Sequence, residues 1–265
     1  MSSIGIIGYG IVGRAAKNFY KDARIYDKFK PVDSWEEVIE QDILFLCLPT
    51  PFQNDKIDLS ALDETFSALD ETFGKLLGEK IIVIKSTVAP GATDRFQIER
   101  PDLRIFYIPE FLTENTSFED FAKPDKNIIG FTPQSQDLIP EIIKILPLAP
   151  TLVVRAKEAE MIKCAINAYY ALKVIFNNQL FDLCQHSNIN YHRVNCGLTM
   201  DKRILDSHSE IFHKGYRGFG GKCLPKDLNN LIAFGNEIGL NLPLFRTIRE
   251  MNERLKVESQ ENIDG

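Results

Sequence analysis

Apolar residues come in short runs through the first half of the chain, each run closed by a polar or glycine-rich segment. Ile4–Ile7, Arg24–Asp27, Ile43–Cys47, Lys80–Ile84, Arg104–Ile108, Asn127–Phe131 and Leu152–Val154 read as strands. Runs this short and this uniformly apolar suit strands covered on both faces. Between them lie amphipathic stretches, Ile11–Tyr20 and Leu59–Leu77 the clearest. Strands alternating with helices predict a parallel sheet wound on both sides. From about Lys157 the period becomes helical throughout. One long segment runs to Leu183, a second from Leu224 to about Ile238, and Pro243 opens a third, Leu244 to about Lys256. The polar tail Glu258–Gly265 is expected to fray. The fold expected is therefore α/β: a Rossmann doubly wound parallel sheet over residues 1–155, then an all-helical domain over 156–265 with a long central helix. That helix has an apolar face too wide for a solvated position, so it should be buried between domains or against a second subunit.

Composition narrows the partners. The 265 residues are 44% hydrophobic and 26% charged, ordinary for a globular protein, and the net charge of −6 comes with no basic stripe. Nucleic acid is not an expected partner. Five cysteines without CxxC spacing, no leader and no long apolar span point to the cytoplasm, away from membranes and disulfides. Four scattered histidines give no expected metal site.

Two motifs carry chemistry. The first is Gly8-Tyr9-Gly10-Ile11-Val12-Gly13, placed between the first strand and the first helix. In a dinucleotide fold the first glycine makes the turn, the second admits a pyrophosphate, and the third lets helix and sheet pack. Asp27 ends the second strand, where an acid holds ribose hydroxyls and repels a 2′-phosphate, so NAD is the expected cofactor. The second motif is Gly218-Phe219-Gly220-Gly221-Lys222-Cys223-Leu224-Pro225-Lys226-Asp227. Glycines turn the chain into a helix whose first turn accepts Pro225. A cysteine at that junction, with Lys222 and Lys226 near it, has the setting of a nucleophilic thiolate. The plainer reading is a small hydrophobe at a helix entry. Lys163 and Asn167, four apart, share a face of the long helix.

In this order the motifs resemble the UDP-glucose/UDP-mannuronate dehydrogenase family of NAD-dependent sugar-nucleotide oxidases. The matching runs are Gly8–Gly13, Leu48–Pro51, Lys85–Gly91, Pro109–Glu114, Glu158–Asn167, Asp201–Ile204 and Gly218–Asp227. The resemblance implies that Cys223 is the nucleophile, with Lys163, Asn167 and Asp227 around the reacting carbon. It places Thr87, Glu110 and Glu114 where water is positioned or protons relayed, and Pro49, Thr50, Thr87 and Glu114 by the cofactor. Glu110, Phe111, Leu112 and Gly220 fall at the sugar, and Arg203 matches an arginine that reaches a neighbouring subunit's site. Phe212, Lys214 and Arg217 are candidates to hold uridine.

The implied reaction oxidises the C6 alcohol of a nucleotide sugar, UDP-glucose first, to a carboxylate through a thiohemiacetal and a thioester. A homodimer through the long helix is the implied assembly. Two alternatives stand beside it: a two-electron β-hydroxyacid-type dehydrogenase with Cys223 idle, and a non-catalytic NAD-binding fragment. Family members carry a further C-terminal α/β domain, and the expectation is that it is absent here, whether by nature, by truncation, or because a partner chain supplies it.

Overall fold

The computed structural model describes residues 2–30, 32–73, 80–213 and 215–264. They form two units, Met1–Lys163 and Cys164–Gly265.

The first unit is built on β1 (Ile4–Ile7), α1 (Ile11–Phe19), β2 (Arg24–Tyr26), α2 (Trp35–Ile39) and β3 (Ile43–Leu46). A two-strand ribbon follows, β4 (Phe52–Gln53) with β5 (Lys56–Ile57), then α3 (Ser60–Phe73), β6 (Ile81–Ile84), α4 (Ala92–Glu99) and β7 (Arg104–Tyr107). The unit continues through α5 (Ser117–Ala122), β8 (Asn127–Phe131), α6 (Ile139–Ile145), β9 (Thr151–Arg155) and the first turns of α7 (Ala156–His186). The sheet order is β2-β1-β3-β6-β7-β8-β9, so the chain winds outward in both directions from β1, as the alternating pattern predicts.

One pairing departs from the parallel expectation. β7 and β8 run antiparallel, and β9 follows β8 in parallel. The connection carries only the six-residue α5, and β8 enters from the opposite end of the sheet to β7. The expected helix Leu59–Leu77 is α3, and residues 74–79 lie outside the described residues.

Successive strand residues face opposite layers. Leu44, Leu46, Ile82 and Ile84 pack on α2, α3 and α4, while Ile43, Phe45, Ile81 and Val83 pack on α1, α5 and α6. Phe66 of α3 stacks on Phe96 of α4 with centroids 4.5 Å apart, both fully buried. Cutting either to alanine costs about 3–5 kcal/mol.

The two units divide between Lys163 and Cys164, two turns into α7. Ala156 and Ala159, in the first turns of that helix, are packed into the core on one face of the sheet.

The second unit holds the rest of α7, α8 (Tyr191–Thr199), α9 (Cys223–Glu237) and α10 (Pro243–Asp264). Helix α10 runs past Lys256 into the tail that was expected to fray, a stretch with neither proline nor glycine before Gly265. Helix α7 is not buried all round. Ala168, Ala171, Val174 and Ile175 are covered, while Tyr169, Phe176 and Leu183, spaced by seven, are 62%, 54% and 64% exposed. Among the described residues, no helix is long and apolar enough to cross a membrane.

Candidate active site

In the first unit, the segment between β1 and α1 opens a cleft of about 1060 Å³. Its three glycines do three different things. Gly8 has φ +108, and a Cβ there would meet the Cys47 carbonyl oxygen at 2.3 Å. A Cβ on Gly13 would sit 1.8 Å from the Gly8 carbonyl oxygen, so the helix can lie against the turn only without one. Gly10 has open space where its Cβ would be, and as N-cap of α1 it supplies no side-chain cap. A dinucleotide pyrophosphate needs such an unfilled cradle over helix amides.

Asp27 stands just beyond β2 on the cleft wall. Its carboxylate accepts from the amides of Tyr9 at 2.7 Å, Phe29 at 2.9 Å and Lys30 at 3.0 Å. Burial works against its charge, yet those three donors outweigh it and hold the carboxyl below the usual range. Asp27 thus ties the glycine turn to the end of β2 and faces the cleft as an anion. Ile11, Val12 and Pro49 also line the cleft. So do Lys28, Trp35 and Glu64, which motif reading did not pick out. Lys28 reaches Glu64 at 3.3 Å, joining the loop after β2 to α3.

The loops after β3, β6 and β7 are stitched together by buried polar groups. Thr50 donates to the Thr87 carbonyl at 2.7 Å. Ser86 accepts from the Leu48 amide and donates to the Leu48 carbonyl, each at 2.8 Å. Lys85, driven toward its neutral form by burial, donates to the Ile108 carbonyl at 3.0 Å. Cys47 is sealed in, and burial pushes its thiol up to about 12, which makes it inert.

At the end of β7, Glu110 accepts from the Leu112 amide at 2.8 Å. Lys163 donates to the Glu110 carbonyl at 2.6 Å and stands 3.2 Å from its carboxylate. The same ammonium lies 5.2 Å from the Phe111 ring centre. Lys163 is therefore not a lysine reaching for solvent: its side chain is 6% exposed. Glu114 is exposed.

In the second unit, Cys223 is the first residue of α9 and is exposed, so it is not the small hydrophobe of the plainer reading. Lys222 precedes it as an N-cap without a side-chain cap, and Pro225 sits in the first turn. Gly218 and Gly221 take φ of +84 and +71, which makes the turn into α9. A Cβ at Gly220 would meet the Tyr216 hydroxyl at 2.5 Å.

One helical turn beyond Cys223, Asp227 is fully buried and accepts from the Asn167 amide nitrogen at 2.5 Å. Asn252 of α10 clamps the glycine-rich loop, accepting from the Phe219 amide at 2.6 Å and donating to its carbonyl at 2.9 Å. No sequence signal marked Asn252, which lies 33 residues away.

The remaining candidates are spread out. Arg203 is held by Asp201 through Nε at 2.9 Å and Nη2 at 2.5 Å, with its side chain 87% exposed. Arg217 is turned onto α7, where it meets Asn178 at 3.0 Å and Asp182 at 2.6 Å. Phe212 packs edge-on against Phe181. Lys214 lies outside the described residues. Among the described residues, no cluster of three His, Cys, Asp or Glu side chains could hold a metal ion.

Comparison with known proteins adds a family. Residues 10–146 match the model of the UDP-glucose/GDP-mannose dehydrogenase family NAD binding domain, and residues 157–254 match that family's central domain. UDP-glucose 6-dehydrogenase AglM of Haloferax volcanii is 31% identical over 86% of the chain and 56% of its own length. UDP-glucose 6-dehydrogenase of Rhizobium meliloti is 31% identical over 83% of the chain and 52% of its own length. Among solved structures, a UDP-glucose dehydrogenase from Pyrobaculum islandicum superposes with a TM-score of 0.80 at 27% identity, covering 96% of this chain and 68% of that one. The chain spans about half the length of the curated relatives it matches.

Proposed function

The chain belongs to the UDP-glucose/GDP-mannose dehydrogenase family, and we propose that it oxidises the C6 alcohol of a nucleotide sugar, UDP-glucose first among candidates, to the carboxylate. The observation that carries this reading is the exposed Cys223 thiol at the start of α9, one turn from a buried Asp227 hydrogen-bonded to Asn167. An exposed thiol ahead of helix amides suits a nucleophile, and a buried, bonded carboxylate is costly without a task. Bound NAD supplies the hydride acceptor.

The chain's own residues supply the rest. The alcohol proton leaves to a base as the first oxidation makes an aldehyde. The Cys223 thiolate adds to that aldehyde, forming a carbon–sulfur bond and an oxyanion. Lys163 and the Asn167 amide are the donors assigned to the oxyanions along this route. The second oxidation leaves a thioester. Water oriented by Thr87, Glu110 or Glu114 then cleaves it, releasing the acid and returning the thiol. Asp227 holds the Asn167 amide in one orientation.

Binding is assigned by the same logic. Gly8, Gly10, Gly13 and Asp27 take the dinucleotide, with Thr50 and Thr87 toward its nicotinamide. Phe111, Leu112 and Gly220 take the sugar, and Phe212, Lys214 and Arg217 the uridine. The salt bridge of Arg217 to Asp182 means it must exchange partners to serve the nucleotide. Arg203, extended into solvent, suits a contribution to a second copy's site. The apolar positions Tyr169, Phe176 and Leu183 support a homodimer through α7. A reducing cytoplasm keeps the thiol available. The direct test counts NADH formed per UDP-glucose consumed. Two per sugar supports the reading, one per sugar favours a two-electron dehydrogenase, and NAD binding with no turnover of any nucleotide sugar defeats it.

A further inference from the structure

Glu160 is fully buried, three residues before Lys163 on α7, and has no part in the chemistry above. Its carboxylate accepts from the Gly91 amide at 2.5 Å and from the Thr93 amide at 2.8 Å, one oxygen to each. Those amides begin α4, whose N-cap Gly91 sits at φ +101 and offers no side chain of its own. The helix start is therefore capped by a carboxylate 69 residues away in sequence.

The capped segment closes the loop that leaves β6, Lys85–Gly91, which carries Thr87. That loop is held at its middle by Thr50, through the Thr87 carbonyl, and at its far end by Glu160. Residues three apart share a helix face. One face of α7 thus grips the loop after β6 through Glu160 and the loop after β7 through the bond from Lys163 to the Glu110 carbonyl.

We propose that Glu160 is a positioning residue, locking the Thr87 loop in register with Lys163 and so fixing the nicotinamide end of the cofactor cleft. The proposal rests on the reading that places Thr87 beside the nicotinamide. Glutamine cannot replace the carboxylate, because its amide offers one acceptor oxygen and turns a second donor toward an N–H.

The test compares NAD with ADP-ribose, which has the adenosine and both phosphates but no nicotinamide, binding to the whole chain by calorimetry at pH 8. In Glu160→Gln, NAD affinity is expected to fall about tenfold while ADP-ribose affinity stays at the wild-type value. Glu160→Asp keeps the charge but is too short to reach both amides, so it serves if the glutamine variant does not fold. Equal losses for both ligands, or no loss for either in a folded variant, overturn the proposal. Wild-type NAD binding without turnover of any nucleotide sugar would defeat the dehydrogenase reading and leave this comparison intact.

Discussion

Asn167 and Asp227 meet at 2.5 Å inside the second unit, 60 residues apart in sequence. The carboxylate of Asp227 is wholly buried, so the amide facing it is an obligatory partner. Asn167→Ala takes that donor away. The variant is expected to unfold about 2 kcal/mol more easily in urea and to lose about a hundredfold in turnover. Restored stability without restored turnover in Asn167→Ala/Asp227→Leu would separate the two effects.

The Lys163–Glu110 pair lends itself to a double-mutant cycle. Removing either partner leaves the other charge in a site nearly closed to water, at a cost of about 3 kcal/mol. Removing both should cost less than the two single losses added together. Thermal denaturation of the four proteins measures the coupling, and additive losses would mean the ion pair is incidental.

The glycine turn separates folding from binding. Gly13→Ala forces a Cβ to 1.8 Å from a backbone oxygen, so the first unit should lose roughly 3 kcal/mol or fail to fold. Gly10→Ala meets nothing within 4 Å, so its melting temperature should match wild type while NAD affinity falls at least tenfold. Calorimetry with NAD on both variants checks the contrast.

Burial pushes the Glu160 carboxyl up from 4.5 to about 7, against the opposing pull of the Gly91 and Thr93 donors. A carboxyl whose folded value exceeds its unfolded value favours the folded state while protonated. That contribution is complete below the unfolded value and is lost as pH rises through about 7. Between pH 5 and 9, wild-type stability should fall by up to about 3 kcal/mol relative to Glu160→Gln. Urea titrations across that range give the difference directly, and parallel curves would contradict the assignment.

On α7, Phe176→Glu should disperse the proposed homodimer. Sedimentation of wild type as a dimer and the variant as a folded monomer is the expected result.

The strands and the long helix were legible because their cue is local: apolar runs, a period of 3.6, and glycines at a turn. Of the candidate site, the local geometry was legible: Gly8, Gly10 and Gly13 shape a turn beside a cleft that Asp27 lines, and the Cys223 motif opens a helix. The rest depends on bonds that no period reports. Ser86 reaches Leu48 across 38 residues, Asn252 reaches Phe219 across 33, and Glu160 reaches Gly91 across 69. The antiparallel entry of β8 is equally silent, because an apolar run marks a strand without marking its direction. The β4–β5 ribbon does have a local cue: Asn54 and Asp55, both at positive φ, are the residue types that such a two-residue turn favours.

The most direct measurement is the mass of the Cys223 peptide after acid quenching during turnover of UDP-glucose with NAD. An added hexuronyl nucleotide on that sulfur is expected in wild type, and none in Cys223→Ser. A bare Cys223 peptide throughout, together with undiminished acid formation by Cys223→Ala, would contradict it.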